Sequence, residues 1–518
     1  MRFARNSIGR LVPVELPGMG EIRPYMGPWS RVGEEAERRC APLRGTPRGK
    51  EKVTYDLKEA IRRSGLESGM TVSFHHHLRN GDRVLCPVLE ACREMGIRDL
   101  VLAPSSLTDS HEEVADFVRD GVVRGIHTSG VRGEVGKAIS RGELEVPVVI
   151  HSHGGRARAV EEGGISIDVA FLAAPLCDRY GNFTGVMGKS ACGSLGYAQL
   201  DARYARHVVA VTDNLSEEPL GYVSVPQYLV DQVLVVDSIG DPRKIATGAA
   251  RITRNPVDLK IAKDAFKVIL ASGLMEDGMS FQVGAGGASL AVARYVRDYM
   301  KEKGIVGSFG CGGVTGYMAS MLEEGLFKVL YDVQSFDAAV TGSLVRNRNH
   351  VEIDQSWYAN PLNRGCVVHE LDVVVLAALD VDVDFNVNVL TGHDGVLRGA
   401  SGGHCDTAAG AKLSLVVLPS FRGGVPSIRD RVGAVVTPGE TVDAVVTERG
   451  VCVNPRRKDL EESCRAMGLE VKDIRELKEE VEGLTGVPEE VEVDRSRVVA
   501  LVEYRDGTII DSVFRVDC

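Results

Sequence analysis

The chain has 518 residues, 44% of them hydrophobic and 26% charged, and a formal net charge of −11. A chain of this length and composition buries roughly three quarters of its unfolded surface, so disorder is excluded for most of it and no disulfide or metal is needed for a core. A membrane span is excluded as well: the longest purely apolar run, Val373 to Leu379, is seven residues, against the ~20 a span requires.

Mild acidity is a poor match to nucleic acid or anionic lipid, so neither is an expected partner. Residues 1–50 differ from the rest, with ten basic and five acidic side chains, which leaves about −16 on the remainder. Eleven cysteines without CxxC spacing read as reduced thiols,. The start MRFARNSIGR lacks the apolar segment of a secretory signal, and early glutamates (Glu15, Glu21, Glu34, Glu35, Glu37) argue against a transit peptide,. The expected compartment is the cytoplasm.

In chain order, residues 1–50 are rich in Pro, Gly and Arg without helical or strand period and read as an extended N-terminal arm, either a tail or a segment packing on a partner subunit,. From residue 54 helices and strands alternate. Tyr55–Ser64 is a helix ended by Gly65, Met70–Leu78 a strand, and Val84–Met95 a helix ended by Gly96,. Leu100–Ala103, Val122–His127, Val146–His151 and Ile167–Ala173 read as strands, with helices over Glu112–Arg119 and Glu134–Arg141 between them. This spacing is that of a parallel α/β sheet. Pro256–Ser272 is a long linking helix, with Pro256 in its first turn and Gly273 at its stop,. A second alternating series follows: strand Ser280–Val283, a glycine turn, helix Ala288–Lys303, then strands Ile305–Gly310, Lys328–Val333, Leu371–Ala378, Leu413–Leu418, Gly433–Val436 and Val442–Val446. Val498–Tyr504 and Thr508–Phe514 flank Asp506-Gly507, a strong hairpin signal,. The expected architecture is two α/β domains with mostly parallel sheets, over 51–254 and 255–518, plus the arm and a C-terminal β-hairpin.

Several segments carry candidate chemistry. Gly284-Ala285-Gly286-Gly287-Ala288-Ser289 follows a strand and opens a helix, so its backbone N–H groups suit a phosphate or a developing oxyanion,. Nicotinamide binding is a weak reading, because Ser289 stands in the third glycine place and no acid follows the next strand,. The run Asp380-Val-Asp-Val-Asp384 puts three carboxylates on one face of a regular strand, where repulsion raises a carboxylate pKa,. Gly399 to Asp406 is a second glycine-rich turn before a small-residue helix. His75, His76 and His77 lie on a predicted strand, and His151 and His153 repeat the i, i+2 spacing. No cysteine or carboxylate completes a zinc ligand spacing, so no metal is expected and an anion cluster with Arg79 is the better reading,. A GxSxG elbow is missing, which leaves a serine hydrolase unsupported,.

Taken together, Ser73-Phe74-His75-His76, Ile150 to Gly155, Gly193 to Tyr197, Gly284 to Leu290, Asp332 to Asp337, Phe385 to Gly392 and, most specifically, Asp394 to Asp406 resemble the citrate lyase alpha chain family. The resemblance runs from about residue 50 to the C-terminus. It implies a coenzyme A transferase fold and a citrate:acyl-carrier-protein transferase, which exchanges the acetyl group of a carrier thioester for citrate and releases acetate. It implies partners: citrate, a gamma chain carrying a coenzyme A-like prosthetic group, and a beta chain that cleaves the citryl thioester. A homo-oligomer is expected; no permanently bound cofactor is, since the coenzyme A-like group belongs to the carrier or to free acetyl-coenzyme A. Gly286 and Gly287 are then the candidate catalytic backbone donors. His75, His76, Arg79, Gly284, Ser289, Asn386, Gly402 and Gly403 are candidate substrate contacts. Asp380 stands where many coenzyme A transferases carry a covalent glutamate, one methylene shorter. Direct ternary-complex exchange is the first reading, and a transferase for citramalate or another carboxylate, with Asp380 as covalent acceptor, the alternative.

Overall fold

The computed structural model describes all residues except 35–36, 43–50, 246–251 and 285, so part of the expected arm and Ala285 of the glycine turn lie outside the described residues. The first half supplies strands β1 (Val53–Thr54), β2 (Thr71–Ser73), β3 (Leu100–Leu102), β4 (Val123–Thr128), β5 (Val148–Ile150), β6 (Val169–Ala173), β7 (His207–Thr212) and β8 (Gln232–Val235). The second supplies β9 (Phe281–Val283), β10 (Gly307–Val314), β11 (Phe327–Ser335), β12 (His350–Glu352), β13 (Val373–Ala377), β14 (Leu413–Val417), β15 (Ala444–Thr447) and β16 (Gly450–Val453). The chain ends in β17 (Asp494–Glu503) and β18 (Ile509–Arg515).

One ten-stranded sheet has the order β18-β17-β5-β4-β3-β2-β6-β7-β8-β1; an eight-stranded sheet has the order β12-β11-β10-β9-β13-β14-β15-β16. In each half four successive strands (β2–β5, β9–β12) are laid outward in one direction and the next three (β6–β8, β13–β15) in the other, from neighbouring central strands (β2 and β6, β9 and β13). All pairings within the two sheets are parallel except β15–β16 and β17–β18. Central strands such as Val169–Ala173 and Leu413–Val417 are buried on both faces, as crossover helices on both sides of a parallel sheet demand. This is the mixed α/β, mostly parallel architecture expected of the sequence. Among the described residues no helix is long and apolar enough to cross a membrane.

The C-terminal hairpin turns at Gly507, whose φ of +91° favours glycine,. It extends the sheet of the first half, with Ala500 beside Val148. The N-terminal strands Phe3–Arg5 and Leu11–Pro13 pair with each other, and Val12, Leu16 and Ile22 form a small core with Val498, Leu501 and Ile509 of the same chain's hairpin.

Three local expectations are corrected. The strand expected over Met70–Leu78 ends at Ser73, because its pairing with β3 and β6 stops there and the histidines leave the sheet. Gly433–Val436 is not a strand: Val435 N–H donates to the Asp511 carboxylate (2.8 Å) and Val436 N–H to the Val387 carbonyl (2.9 Å). Only Asp380–Asp382 of the aspartate run is extended; the chain turns at Phe385 (φ +66°), and Asp384 is exposed.

Candidate functional site

Where strand order reverses, adjacent crossovers depart to opposite faces and leave a crevice at the carboxyl ends of the strands. The glycine turn lies at that point in the second sheet, between β9 and β13. Gly284 N–H donates to Val375 O (3.1 Å), and Gly286 is the N-cap of the helix Gly287–Lys303. The first N–H groups of that helix have no intrahelical acceptor and carry its positive dipole end. Gly286 is exposed and Gly284 and Gly287 are partly so. A Cβ on Gly286 would meet only Ala377 Cβ at 3.8 Å and Ser289 Oγ at 4.0 Å. Beneath the turn Ser289 is fully buried and its Oγ makes no hydrogen bond. The turn is therefore open to a ligand rather than sealed by packing.

The equivalent point in the first sheet, between β2 and β6, carries His75 to Arg79. His75 Nε2 donates to Ala173 O (3.0 Å) across the crevice, and His75 and His77 are hydrogen-bonded through their Nδ1 atoms (2.9 Å). The i, i+2 histidines do meet, but in a loop rather than on a strand face. His76 bonds Ser105 Oγ through both its backbone N–H (3.0 Å) and Nδ1 (2.5 Å) and stacks on His77 and His153. Burial lowers all three histidine pKa values, His76 and His77 furthest, and pushes His153 down to about 3; the cluster is neutral at pH 7. Arg79 has φ +53°, an uncommon conformation for a residue with a Cβ,. Its guanidinium lies over the Phe336 ring at 4.1 Å, while Nε and Nη2 are buried and make no hydrogen bond. Burial lowers its pKa to about 10, and nearby Arg132 pushes the same way. A strained backbone that buries an unsatisfied guanidinium next to a second one points to an anionic ligand.

Contacts join the two switch points into one seam. Gln282, just before the glycine turn, donates from Nε2 to Tyr358 Oη (2.8 Å). Tyr358 Oη lies 2.8 Å from where a Gly403 Cβ would be; Gly402 O accepts from His153 N–H (2.7 Å), and the His153 ring packs on His76 and Tyr197. On the other side, a Gly313 Cβ would collide with Phe336, which carries Arg79. His404 donates from Nε2 to Ala377 O (3.2 Å), so its Nδ1 accepts from Thr437 Oγ1 (2.7 Å). The loop 193–195 inserts likewise into the second half: Ser194 N–H donates to Ser335 Oγ (3.0 Å) and Leu195 N–H to Glu352 (2.5 Å).

Of the residues singled out from the sequence, the structure thus gathers His75, His76, Arg79, Gly284, Gly286, Gly287, Ser289, Gly402 and Gly403 around this seam. Asn386 and Asp380 are placed elsewhere. The Asn386 amide holds its own turn, donating to Asp382 (3.2 Å) and accepting from Gly439 N–H (3.0 Å). Asp380 has one carboxylate oxygen 3.6 Å from Arg429 Nε and the other buried without a partner; burial raises its pKa to about 6. His153, Tyr197, Phe336, Tyr358 and Arg132 also line the seam; the first three carry a sequence signal only through the histidine spacing or the family motifs, without a site role, and Tyr358 and Arg132 carry none, because only the fold brings them here.

Comparison with known proteins agrees in extent with the seam and both sheets. Residues 50–516 match the family model for the citrate lyase alpha subunit (CitF). The chain is 48% identical over 500 residues to the citrate lyase alpha chain of Klebsiella pneumoniae, covering 96% of each. It superposes with a TM-score of 0.95 and 47% identity on the citrate-complexed alpha subunit of citrate lyase from Streptococcus mutans, covering 99% of this chain and 100% of that one. The fold alone is shared with 4-hydroxybutyrate CoA-transferase of Porphyromonas gingivalis, at a TM-score of 0.54 and 17% identity over 84% of this chain and 98% of that one.

Proposed function

The chain belongs to the citrate lyase alpha subunit family and is an enzyme of the transferase class, and from that premise we propose that it is a citrate:acyl-carrier-protein transferase working by direct exchange. A citrate carboxylate oxygen attacks the acetyl carbonyl of the carrier thioester, the C–S bond breaks, and a thiolate and an acetyl–citryl anhydride result. The thiolate then attacks the citryl carbonyl and acetate departs. One carboxylate enters and one leaves, so no proton is consumed or released. The site accordingly needs no titrating base, which suits histidines held neutral by burial. Its work is positioning, and donation to the two oxyanions.

The observation that carries this reading is the pairing, along one seam, of an open glycine turn with an unsatisfied guanidinium. The helix N-terminus at Gly286–Gly287 is suited to an oxyanion, and Arg79 with Arg132 to the carboxylates of citrate,. Direct exchange is supported over an aspartyl intermediate by the orientation of Asp380 toward Arg429. The proposed partners are a gamma chain bearing the coenzyme A-like arm and a beta chain that cleaves the citryl product, in an assembly built on copies of this chain in the cytoplasm. The test is purified chain with citrate and acetyl-coenzyme A, read by mass spectrometry. Citryl-coenzyme A and acetate in equal amounts are expected; neither product, with citrate and carrier both supplied, overturns the reading. Citramalate in competition identifies the preferred acid.

A further inference from the structure

Citrate carries carboxylates and a tertiary hydroxyl, and the seam likewise holds two kinds of side chain. Arg79 and Arg132 are cations suited to carboxylates,. Beside them stand neutral rings: Tyr197 packs on His76 and on His153, each pair with centroids 4.8 Å apart, and His76 stacks on His153 at 6.0 Å. We propose that Tyr197 and His153 hydrogen-bond the hydroxyl group of the substrate acid, so that the chain selects a hydroxy tricarboxylate over the same acid without its hydroxyl. The proposal rests on the seam being the citrate site and adds the groups that set its specificity.

Both groups are fixed and both have hydrogen-bonding capacity to spare. Tyr197 lies in the first turn of the helix Gly196–Tyr204. A Cβ on Gly196 would fall 2.4 Å from Ile353 O and 2.6 Å from Val333 Cγ2, so this turn is pressed against the second half. The tyrosine is 1% exposed, and among the described residues its phenol oxygen makes no hydrogen bond. The carboxylates that act on it already hold other donors: Asp406 accepts from Ser152 Oγ (2.8 Å) and Gly154 N–H (2.9 Å), and Asp332 from Ser335 Oγ (2.8 Å). His153 opens the helix His153–Glu162, and its Nδ1 is buried without a partner. His76, by contrast, has its Nδ1 engaged by Ser105 Oγ. Burial raises the Tyr197 pKa and lowers that of His153 to about 3, so both rings are uncharged at pH 7. A neutral phenol donates one hydrogen bond and accepts others, and a neutral imidazole has one donating and one accepting nitrogen. A hydroxyl matches such a pair in both senses. A carboxylate only accepts, and against neutral rings its charge would go uncompensated. The cation for the carboxylates stands next to the pair: Arg79 and Tyr197 act on each other electrostatically. Asp337, a carboxylate that also acts on Arg79, is occupied by the N–H groups of Gly316 (2.6 Å), Ala339 (3.1 Å) and Val340 (3.3 Å).

The test is calorimetric titration of the full chain with citrate and with propane-1,2,3-tricarboxylate, its analogue without the hydroxyl, beside exchange rates with acetyl-coenzyme A. A buried site built for a hydroxyl leaves its own polar groups unpaired when the hydroxyl is missing, so the wild-type chain should bind citrate roughly 100-fold or more tightly than the analogue. Tyr197→Phe should lose roughly tenfold or more in affinity for citrate and less than about threefold for the analogue. His153→Phe, which keeps a ring against His76 without the nitrogens, should narrow the ratio likewise. Arg79→Lys acts on the carboxylates that the two acids share, so it should weaken both alike and preserve the ratio. The assignment is overturned if the wild-type chain binds neither acid or binds both within about threefold. It is equally overturned if the ratio survives Tyr197→Phe or, should that variant not fold, His153→Phe. The two readings fail separately. A chain that discriminates between the acids but forms no citryl-coenzyme A loses only the exchange mechanism; one that forms citryl-coenzyme A and takes the deoxy acid equally well loses only the hydroxyl contact.

Discussion

Gly286→Ala separates architecture from chemistry. Gly286 has φ −68° and ψ 153°, which any L-residue adopts, and the added Cβ meets nothing closer than 3.8 Å. Alanine is a poorer N-cap than glycine by about 0.5 kcal/mol, offset by a similar loss of unfolded-state freedom. The net stability change is therefore within ~0.5 kcal/mol, a Tm shift of no more than about 2 °C. The methyl group nevertheless narrows a turn at which, on the proposed mechanism, the thioester carbonyl approaches the backbone donors. Displacing that carbonyl by about 1 Å costs on the order of 10²-fold in kcat. The assay is initial-rate citryl-coenzyme A formation with kcat and KM resolved, beside a thermal melt. Gly193→Ala is the structural contrast: φ is +85° and the Cβ would fall 2.0 Å from Ser335 Oγ, so its loss appears first in the melt. A Gly286→Ala enzyme with wild-type Tm and kcat within threefold of wild type refutes the placement of the reacting carbonyl at this turn.

Arg79→Lys keeps the charge but not the fork, and is expected to raise the KM for citrate roughly tenfold or more with little change in kcat, as measured by citrate titration. Arg79→Gly removes the same ligand while relieving the left-handed backbone by ~1–2 kcal/mol, so its Tm should not fall with its affinity,. Asp380→Asn should retain exchange activity; complete loss, with a borohydride-trapped adduct on the wild-type residue, establishes the covalent alternative. The same variant has a stability signature. Burial raises the Asp380 pKa from 3.8 to about 6, so the wild-type carboxyl favours folding fully below its unfolded value and loses that contribution as pH rises through 6. Asp380→Asn should be more stable than wild type at pH 7.5, by up to about 3 kcal/mol, with the difference vanishing near pH 4 in urea titrations. Arg156 and Asp201, both fully buried and paired at 2.8 Å, support the seam from below. Arg156→Met should cost about 3–5 kcal/mol of unfolding free energy, because Asp201 loses its buried cation and keeps only the Ser73 hydroxyl as a side-chain partner,.

Much of the fold was legible because parallel strands buried on both faces leave runs such as Leu413–Val417 that need no partner to be recognised. The helix Pro256–Ala271 carried its own start signals, Asn255 as cap and Pro256 at the first position. The helices Gly196–Tyr204 and Gly316–Glu323 were not read, since glycine and small residues blur their period. Register along a single strand was the weakest inference. His151 and His153 share no face, because β5 ends at Ile150 and a helix begins at His153; His151 instead bonds His127 (3.0 Å) and Glu503 (2.9 Å). The glycine turn was legible from local sequence alone. Arg132 was not, because its place beside Arg79 follows from the order of β2, β3 and β4 in the sheet and from no spacing in the chain.

The repeated strand order also places the two loops of the proposed site at equivalent positions. Each half has a switch point after its first central strand, filled in one by His75 to Arg79 and in the other by Gly284 to Gly287. A single loop cannot serve both needs of carboxylate exchange on sulfur. Holding a polycarboxylate takes fixed positive side chains, which crowd the backbone; stabilising an oxyanion takes bare N–H groups, which side chains obstruct. Dividing the tasks between two equivalent positions lets one loop be bulky and cationic and the other bare. The seam contacts through Gln282, Tyr358 and His153 then fix the distance between them. It follows that exchanging the two loop types should not produce a mirror-image enzyme. The glycine turn is backed by Ala377, which leaves it open, whereas Arg79 depends on Phe336 from the opposite half for its seat. Phe336→Ala should accordingly weaken citrate binding through the loosened guanidinium while leaving the KM for acetyl-coenzyme A unchanged, and an equal rise in both constants would count against the division of labour.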